Sequence, residues 1–137
     1  MKNVAIVYAS TTGNTEAMAN AILEGAGASA QLYRADEADA ATVLAADVIV
    51  LGSPAMGSEE LEDSMETFFS GIEGSLSGKT VALFGSYDWG DGQWLVTWEE
   101  RVKAAGASLF GESVKAHTAP EAADIEACKS LGKEVSA

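Results

Sequence analysis

The sequence is poor in positive charge and in cysteine. Its 137 residues carry 8 Lys and Arg against 21 Asp and Glu, a formal net charge of −13. Such a charge disfavours nucleic acids and anionic membranes, whose phosphates attract cations. The single cysteine, Cys128, excludes an internal disulfide, and no run approaches the roughly 20 apolar residues of a membrane span. With no signal-peptide pattern at the start, we expect a cytoplasmic protein with no nucleic-acid or membrane partner.

The few cations leave long stretches of uniform charge. No Lys or Arg occurs from residue 35 to 78, where there are ten acids, or from 80 to 100, where there are four. Part of such a surface is commonly only a solvated face. A field this one-sided nevertheless indicates partners with basic surfaces.

Strand-like and helix-like segments alternate along the whole chain. A hydrophobic content of 47% and this length predict one packed domain over residues 1–137, and nothing indicates more than a monomer. Segment 29–35 alternates weakly, as at a sheet edge, whereas 47–53 and 80–86 are continuous and β-branched. The predicted strands are 3–9, 29–35, 47–53, 80–86 and 107–114, the last of them interrupted by Gly111. Helical spacing of apolar residues is found in 18–22, 38–46, 61–72, 94–105 and 125–135.

This alternation predicts an α/β fold, a doubly wound five-stranded parallel sheet with helices on both faces. For five strands the common order is 2-1-3-4-5, and ligands bind where that order reverses, at the carboxyl ends of the strands. We therefore expect loops 10–15, 54–60 and 87–92 to converge on one site.

The first loop is polar and lacks a nearby cation. Five of the six residues in STTGNT (10–15) carry a hydroxyl or an amide, and no Lys or Arg lies between Lys2 and Arg34. Free N–H groups and the dipole at a helix start can hold a phosphate without any cation. A plain helix N-cap is the alternative, although it needs fewer polar donors. The loop is neither a Walker A sequence nor a GxGxxG loop.

The other two loops contain large apolar side chains among polar residues. Met56 lies in PAMGSEE (54–60), and Trp89 lies in SYDWGDGQ (86–93). Core packing is the usual fate of a methionine but is rare for a tryptophan in such company. Trp94 and Trp98 are four residues apart on a predicted helix, so we expect both in the core.

The remaining chemically distinctive residues favour structural interpretations. His117 has no second metal ligand nearby in the sequence, so we expect a surface histidine. Cys128 falls on the apolar stripe of the last helix and is expected in the core. No Ser-His-Asp set or zinc-ligand spacing is present.

Taken together, these segments resemble the flavodoxin family. STTGNT at 10–15 matches the family's phosphate-loop pattern Thr/Ser-x-Thr-Gly-x-Thr, while GSPAMGSEELED (52–63) and FGSYDWGDGQW (84–94) are similar to its other two loops. The resemblance covers the whole chain. Since the fifth strand carries no long insertion, it is strongest to the short-chain flavodoxins of anaerobic bacteria. It implies a flavodoxin-like fold that binds flavin mononucleotide (FMN) without a covalent bond.

The resemblance also implies how each loop would bind FMN. The first loop would hold the phosphate, and Met56 and Trp89 would lie against opposite faces of the isoalloxazine ring. The Glu59 carboxylate would accept a hydrogen bond from flavin N3–H. The Gly57 carbonyl would accept one from N5 once that atom is protonated, after the peptide turns from a type II′ to a type II turn. The implied FMN-binding residues are Ser10, Thr11, Thr12, Gly13, Asn14, Thr15, Pro54, Ala55, Met56, Gly57, Ser58, Glu59, Ser86, Tyr87, Asp88, Trp89 and Gly90.

The function implied by the resemblance is low-potential, one-electron transfer between redox enzymes, through the semiquinone/hydroquinone couple of FMN. Such a protein is a carrier and not an enzyme. The alternative is an FMN-dependent NAD(P)H:quinone reductase-like enzyme on the same fold, which needs room for a nicotinamide beside the ring. A signalling receiver domain would need acids after strands 1 and 3. A low-molecular-weight phosphatase would need a cysteine in the first loop, and the sequence has neither feature.

Overall fold

Aliphatic runs form the strands of a central sheet, seen in a computed structural model that describes residues 2–57 and 59–137. The first and third strands are buried along their whole length, as expected for strands covered on both faces. The strands are β1 (Val4–Tyr8), β2 (Ala30–Arg34), β3 (Val48–Gly52), β4 (Ala55–Met56), β5 (Glu60–Leu61), β6 (Thr80–Tyr87), β7 (Ser108–Leu109) and β8 (Val114–His117).

The strand order confirms the predicted topology. The main sheet runs β2-β1-β3-β6, with β7 and β8 both on the outer edge of β6, and every pair is parallel. The order therefore reverses beside β1, as predicted. β2 lies at the edge, as its weak alternation predicted.

The fifth strand, predicted over 107–114 with an interruption at Gly111, is present as two segments whose outer bound differs from the prediction. The segment forms β7, then leaves the sheet, and pairing resumes with β8, which extends to His117. Gly111 lies in the gap with a φ of 62°, a left-handed conformation that is incompatible with extended backbone. As a result the carboxyl end of the last strand lies three residues later than the sequence predicted.

Among the described residues, five α-helices cover the two faces of the sheet. Alternate residues of each central strand point to opposite faces, so Val4, Ile6 and Tyr8 belong to one core and Ala5 and Val7 to the other. The first core contains α1 and α5, and the second contains α2, α3 and α4. The helices are α1 (Asn14–Ala26), α2 (Ala40–Leu44), α3 (Asp63–Ile72), α4 (Gln93–Ala104) and α5 (Ala122–Ser136). Within the described ranges, none of these helices has the length and apolar character needed to cross a membrane.

The starts of these helices differ in how their N–H groups are satisfied. Asp39 caps α2 by accepting from Thr42 N, and Glu62 caps α3 by accepting from the backbone of the first turn. α1 instead begins after Gly13, which has a φ of 92° and provides no side-chain cap. The start of α1 therefore keeps donors for another partner.

Candidate functional site

The carboxyl ends of β1, β3 and β6 open into a cleft of about 380 Å³. This volume falls within the roughly 300–1,000 Å³ typical of small-molecule sites. The structure brings together the three predicted loops at the predicted reversal of strand order. The cleft is lined by Thr11, Thr12, Asn14, Pro54, Ala55, Met56, Gly57, Ser86, Tyr87, Asp88, Trp89 and Thr118.

The other predicted site residues lie around this cleft and do not line it. Ser10 and Gly13 line an adjoining cleft of about 250 Å³, and Glu59 lines a separate groove together with Trp94 and Trp98. Thr15 is buried beneath the first loop, and Gly90 follows Trp89 at the rim. Expectations about Ser58 lie outside the described residues.

Two side chains of the first loop build the loop itself. The Ser10 hydroxyl oxygen accepts hydrogen bonds from Gly13 N at 3.1 Å and from Glu16 N at 3.3 Å. The Thr15 hydroxyl is 2.7 Å from the Ser86 hydroxyl and ties the start of α1 to β6. The side chains of Thr11, Thr12 and Asn14 are left to face the cleft.

The backbone of the same loop presents unused donors. Among residues 2–57 and 59–137, the N–H groups of Thr11, Thr12, Asn14 and Thr15 make no hydrogen bond. These groups lie at the positive end of the α1 dipole. A group with several anionic oxygens would satisfy them, which is how helix starts bind phosphate.

A cation does lie close to the first loop, but in the adjoining cleft. Arg34, at the end of β2, lines that cleft together with Ser10 and Gly13. It donates to Asp36 at 3.3 Å, and this hydrogen bond raises the pKa of the Arg34 guanidinium. Because β2 pairs with β1, the sheet brings Arg34 close to a loop that precedes it by some twenty residues. The predicted pairing of the first two strands already implied this proximity.

The second loop is a hairpin that the sequence did not predict. β4 pairs with β5 in the antiparallel direction, with Ala55 opposite Leu61 and Met56 opposite Glu60. Gly57 has a φ of 48°, as the predicted type II′ turn requires. Glu59 also has a positive φ, of 57°, which is uncommon outside glycine. The complete turn type depends on Ser58, which is not described.

The second and third loops are in contact beside the cleft. The Glu59 carboxylate oxygen Oε1 lies 3.5 Å from Trp94 N, at the start of α4. A Cβ on Gly90 would lie 2.8 Å from the carboxyl carbon of Glu59 and would displace that carboxylate, and the φ of 90° at Gly90 itself favours glycine. Glu59 is thus held close to the rim that carries Trp89.

Two large apolar side chains are exposed on the cleft. Trp89 is 67% exposed and Met56 is 37% exposed, whereas Trp94 and Trp98 are each 1% exposed. The prediction of a core role for Trp94 and Trp98 is therefore confirmed, and core packing is excluded for Met56. Exposed apolar groups that converge on a cleft mark a surface that a ligand covers.

The sequence missed Thr118 as a residue of the cleft. Thr118 follows β8, has a φ of 61°, and its N–H donates to the Tyr87 carbonyl at 2.7 Å. Because the fifth strand was predicted to end at residue 114, the next loop was not placed at this edge. His117 is exposed and Cys128 is buried, as predicted, and burial raises the pKa of Cys128 to about 12.

Comparison with known proteins agrees with this geometry. The family model described as Flavodoxin matches residues 6–132. The flavodoxin of Megasphaera elsdenii is 46% identical over 134 residues, covering 95% of this chain and 96% of that protein. The flavodoxin of Clostridium beijerinckii is 39% identical over 134 residues, again covering 95% and 96%. The solution structure of two-electron reduced Megasphaera elsdenii flavodoxin superimposes with a TM-score of 0.84 at 45% identity, covering 97% of this chain and 98% of that one.

These alignments extend over nearly the full length of this chain and of each related protein. The match to the family model includes all three loops of the cleft. They confirm the family that the loop motifs indicated. The chain belongs to the flavodoxin family, whose members are FMN-binding electron carriers.

Proposed function

We propose that the cleft holds one FMN, with its phosphate on residues 10–15 and its ring between Met56 and Trp89. The protein then carries electrons singly between redox enzymes and turns over no substrate of its own. The observation that carries this proposal is that the two ends of the cleft differ in chemical character. One end has free neutral donors, and the other has two exposed apolar side chains.

The donor groups at the first end fit a phosphate. The cleft there is lined by the hydroxyls of Thr11 and Thr12 and the amide of Asn14, beside the unused N–H groups of the loop. Hydrogen bonds to a charged acceptor contribute roughly 1.5–3 kcal/mol each. Several such bonds and the α1 dipole hold a dianion without a cation.

The apolar end fits a planar ring. Trp89 supplies an aromatic face, whose stacking contributes about 0.5–1.5 kcal/mol beyond burial, and Met56 supplies a polarisable thioether. The Glu59 carboxylate, held at the rim, accepts and cannot donate, so it suits a ring N–H. When bound, FMN supplies the one-electron chemistry, while these side chains orient the ring and shield it from water.

The exposed acids around the cleft favour basic partners. Glu60 and Asp63 lie on one side of the second loop, and Asp88 and Asp91 lie on the third. We expect partner proteins to dock with basic surfaces here, on a cytoplasmic monomer whose single domain spans 1–137. The buried free thiol of Cys128 suits a reducing compartment.

Titration of the apo protein with flavins tests the phosphate assignment. We expect one FMN per chain, bound at least about 100-fold more tightly than riboflavin, which lacks the phosphate. FAD should bind poorly, because its second phosphate would need an exit from the loop. Equal affinity for FMN and riboflavin would contradict the proposal.

A matched pair of variants localises the effect. Thr12→Val removes a hydroxyl from the cleft and should weaken FMN binding while leaving riboflavin binding unchanged. Thr67→Val makes the same change at an exposed position of α3, away from the cleft, and should alter neither. Consumption of NAD(P)H without a partner protein would instead favour a reductase.

A further inference from the structure

We propose that His117 is a positioning residue for the FMN site, which holds the third loop in place through the Asp88 carbonyl. The proposal rests on the proposed function, in which Trp89 of that loop covers one face of the flavin. His117 lies outside the cleft and has no expected contact with the cofactor.

The geometry is a hydrogen bond from the end of β8 to the rim of the cleft. His117 Nε2 lies 2.8 Å from the carbonyl oxygen of Asp88, the residue just before Trp89. A carbonyl oxygen only accepts, so Nε2 must carry the proton. In the same place, Thr118 N donates to the Tyr87 carbonyl at 2.7 Å. Two consecutive residues of one segment thus hold two consecutive carbonyls of the other.

Further contacts from β8 define what we call the β8 clasp, formed by Lys115, His117 and Thr118. The Lys115 ammonium donates to the Asp91 carbonyl at 3.3 Å, at the far end of the third loop. The His117 ring packs against the Tyr87 ring with 5.0 Å between centroids. The clasp therefore holds the loop from residue 87 to residue 91, on both sides of Trp89.

The loop needs such support because its own residues provide little. Asp88, Trp89 and Gly90 are all exposed, and Gly90 has a φ of 90°. A loop that is free to move populates the binding-competent arrangement only part of the time, which weakens apparent affinity by that fraction. A hydrogen bond present before the cofactor arrives removes part of this cost.

Three substitutions at one position separate hydrogen bonding from bulk. The side-chain nitrogen of Gln can take the place of His Nε2, whereas the shorter Asn reaches only as far as Nδ1. We expect His117→Gln to keep the FMN dissociation constant within about twofold of the parent. His117→Asn and His117→Ala should raise it roughly 2- to 13-fold, the loss of one net hydrogen bond.

Binding of riboflavin, which lacks the phosphate, shows whether the His117 variants act at the ring end or at the phosphate end of the cleft. Because the third loop covers the ring and not the phosphate, each variant should weaken riboflavin and FMN by the same factor. A loss seen with FMN alone would place the effect at the phosphate end and overturn the proposal.

The second measurement needs no variant. His117 is the only histidine in the sequence, so its ring gives a single set of ¹⁵N signals in a histidine-labelled sample. Above the range in which imidazole binds a second proton, we expect the Nε2–H tautomer in both the apo and the FMN-bound protein. The Nδ1–H tautomer or an even mixture would overturn the proposal, since neither holds the Asp88 carbonyl.

The outcomes of the variant experiment are also distinct. If the parent fails to bind FMN, the proposed function is wrong. If the parent binds FMN and all three variants match it, only the positioning role is wrong. If Gln weakens binding as much as Ala does, the imidazole acts by packing on Tyr87 and not by holding Asp88, and the proposal again fails.

Discussion

Two positions of one hairpin adopt left-handed backbone at the rim of the cleft. Gly57 does so at little cost, whereas Glu59, with a φ of 57°, gives up about 1 kcal/mol or more relative to ordinary backbone. The β4–β5 pairing and the contact between the Glu59 carboxylate and Trp94 N hold this conformation. The strain lies in the segment that we expect beside the flavin.

At the scale of single residues, we expect Gly57 to control the first reduction step of bound FMN. Its carbonyl is expected to accept from flavin N5 only after the first electron and proton arrive, so it selectively favours that step. A side chain at 57 would oppose the observed positive φ, which by itself favours the reduced form, but it would also crowd the approach of the carbonyl to the ring. We expect the crowding to prevail. We expect Gly57→Thr to make the first reduction potential more negative by roughly 20–65 mV, the equivalent of one net hydrogen bond.

Redox titration of bound FMN measures this potential. The variant Ser58→Gly should shift the same potential in the opposite direction. A glycine at 58 relaxes the type II turn, which needs positive φ at that position, and should raise the first potential. An unchanged first potential in Gly57→Thr would show that turning of this peptide does not control the first electron.

The role of a single residue could be predicted from the sequence where its chemical character differed from that of its neighbours. Met56 and Trp89 stood out as apolar side chains in polar loops, and both are exposed on the cleft. Ser10 and Thr15 could not be separated from Thr11 and Thr12, because all four are hydroxyl residues of one loop. The structure separates them through a contact between Thr15 and Ser86, 71 positions apart.

Among the elements, the contact between α1 and α5 depends on two glycines. A Cβ on Gly25 would overlap the carbonyl oxygen of Lys129, and a Cβ on Gly132 would overlap that of Ile22. Each helix thus lays a glycine against the backbone of the other. The two backbones approach closely over Cys128, which is buried in the same core.

We therefore predict that Gly132→Ala destabilises the protein by about 1–3 kcal/mol, the usual cost of overpacking. The matched control is Gly71→Ala in α3, where a Cβ meets nothing within 4 Å. Alanine there should stabilise by up to about 1 kcal/mol through helix propensity. Urea unfolding of both variants gives the two free energies, and a stabilised Gly132→Ala would contradict the close contact.

The helices and strands that could be predicted were those whose apolar residues recur at a regular spacing. The α3 and α4 stripes and the buried strands β1, β3 and β6 follow directly from apolar spacing. The β4–β5 hairpin was missed because each strand has only two residues, too few for any period. The interruption of the fifth strand at Gly111 was predicted, whereas its extension to His117 was missed because Val114–His117 has only four residues, too few for a clear period.

Over the whole molecule, some surface carboxylates make ion pairs or cap helices, whereas others make no such contact among the described residues. Arg101 makes a two-pronged ion pair with Glu66, at 2.8 and 2.9 Å, and a second pair with Glu73 at 3.0 Å. The hydrogen bonds from Arg101 lower the pKa of Glu66. Glu62 caps α3. Neutralising these acids would therefore also disturb the packing of α3 on α4.

Glu60 and Asp63 provide a cleaner electrostatic test. Within residues 2–57 and 59–137, neither side chain makes a hydrogen bond or an ion pair. One unit charge about 10 Å away in water contributes roughly 0.4 kcal/mol, or near 20 mV, before screening. The double variant Glu60→Gln/Asp63→Asn should raise the second reduction potential of bound FMN by roughly 40 mV at low salt.

The same variant should react more slowly with a small basic redox protein, because fewer charges steer the encounter. That difference in rate should shrink as ionic strength rises. A second potential that stays at the parent value at low salt would show that these acids do not act on the cofactor.

The pairing of α1 with α5 also determines when the protein can finish folding as it is made. One face of the sheet is covered by α2, α3 and α4, which leave the ribosome before α5 does. The other face needs Leu131 and Val135 of the last helix to cover it together with α1. Until α5 has been synthesised, α1 and the strand residues beneath it remain exposed, an aggregation-prone state that chaperones commonly shield.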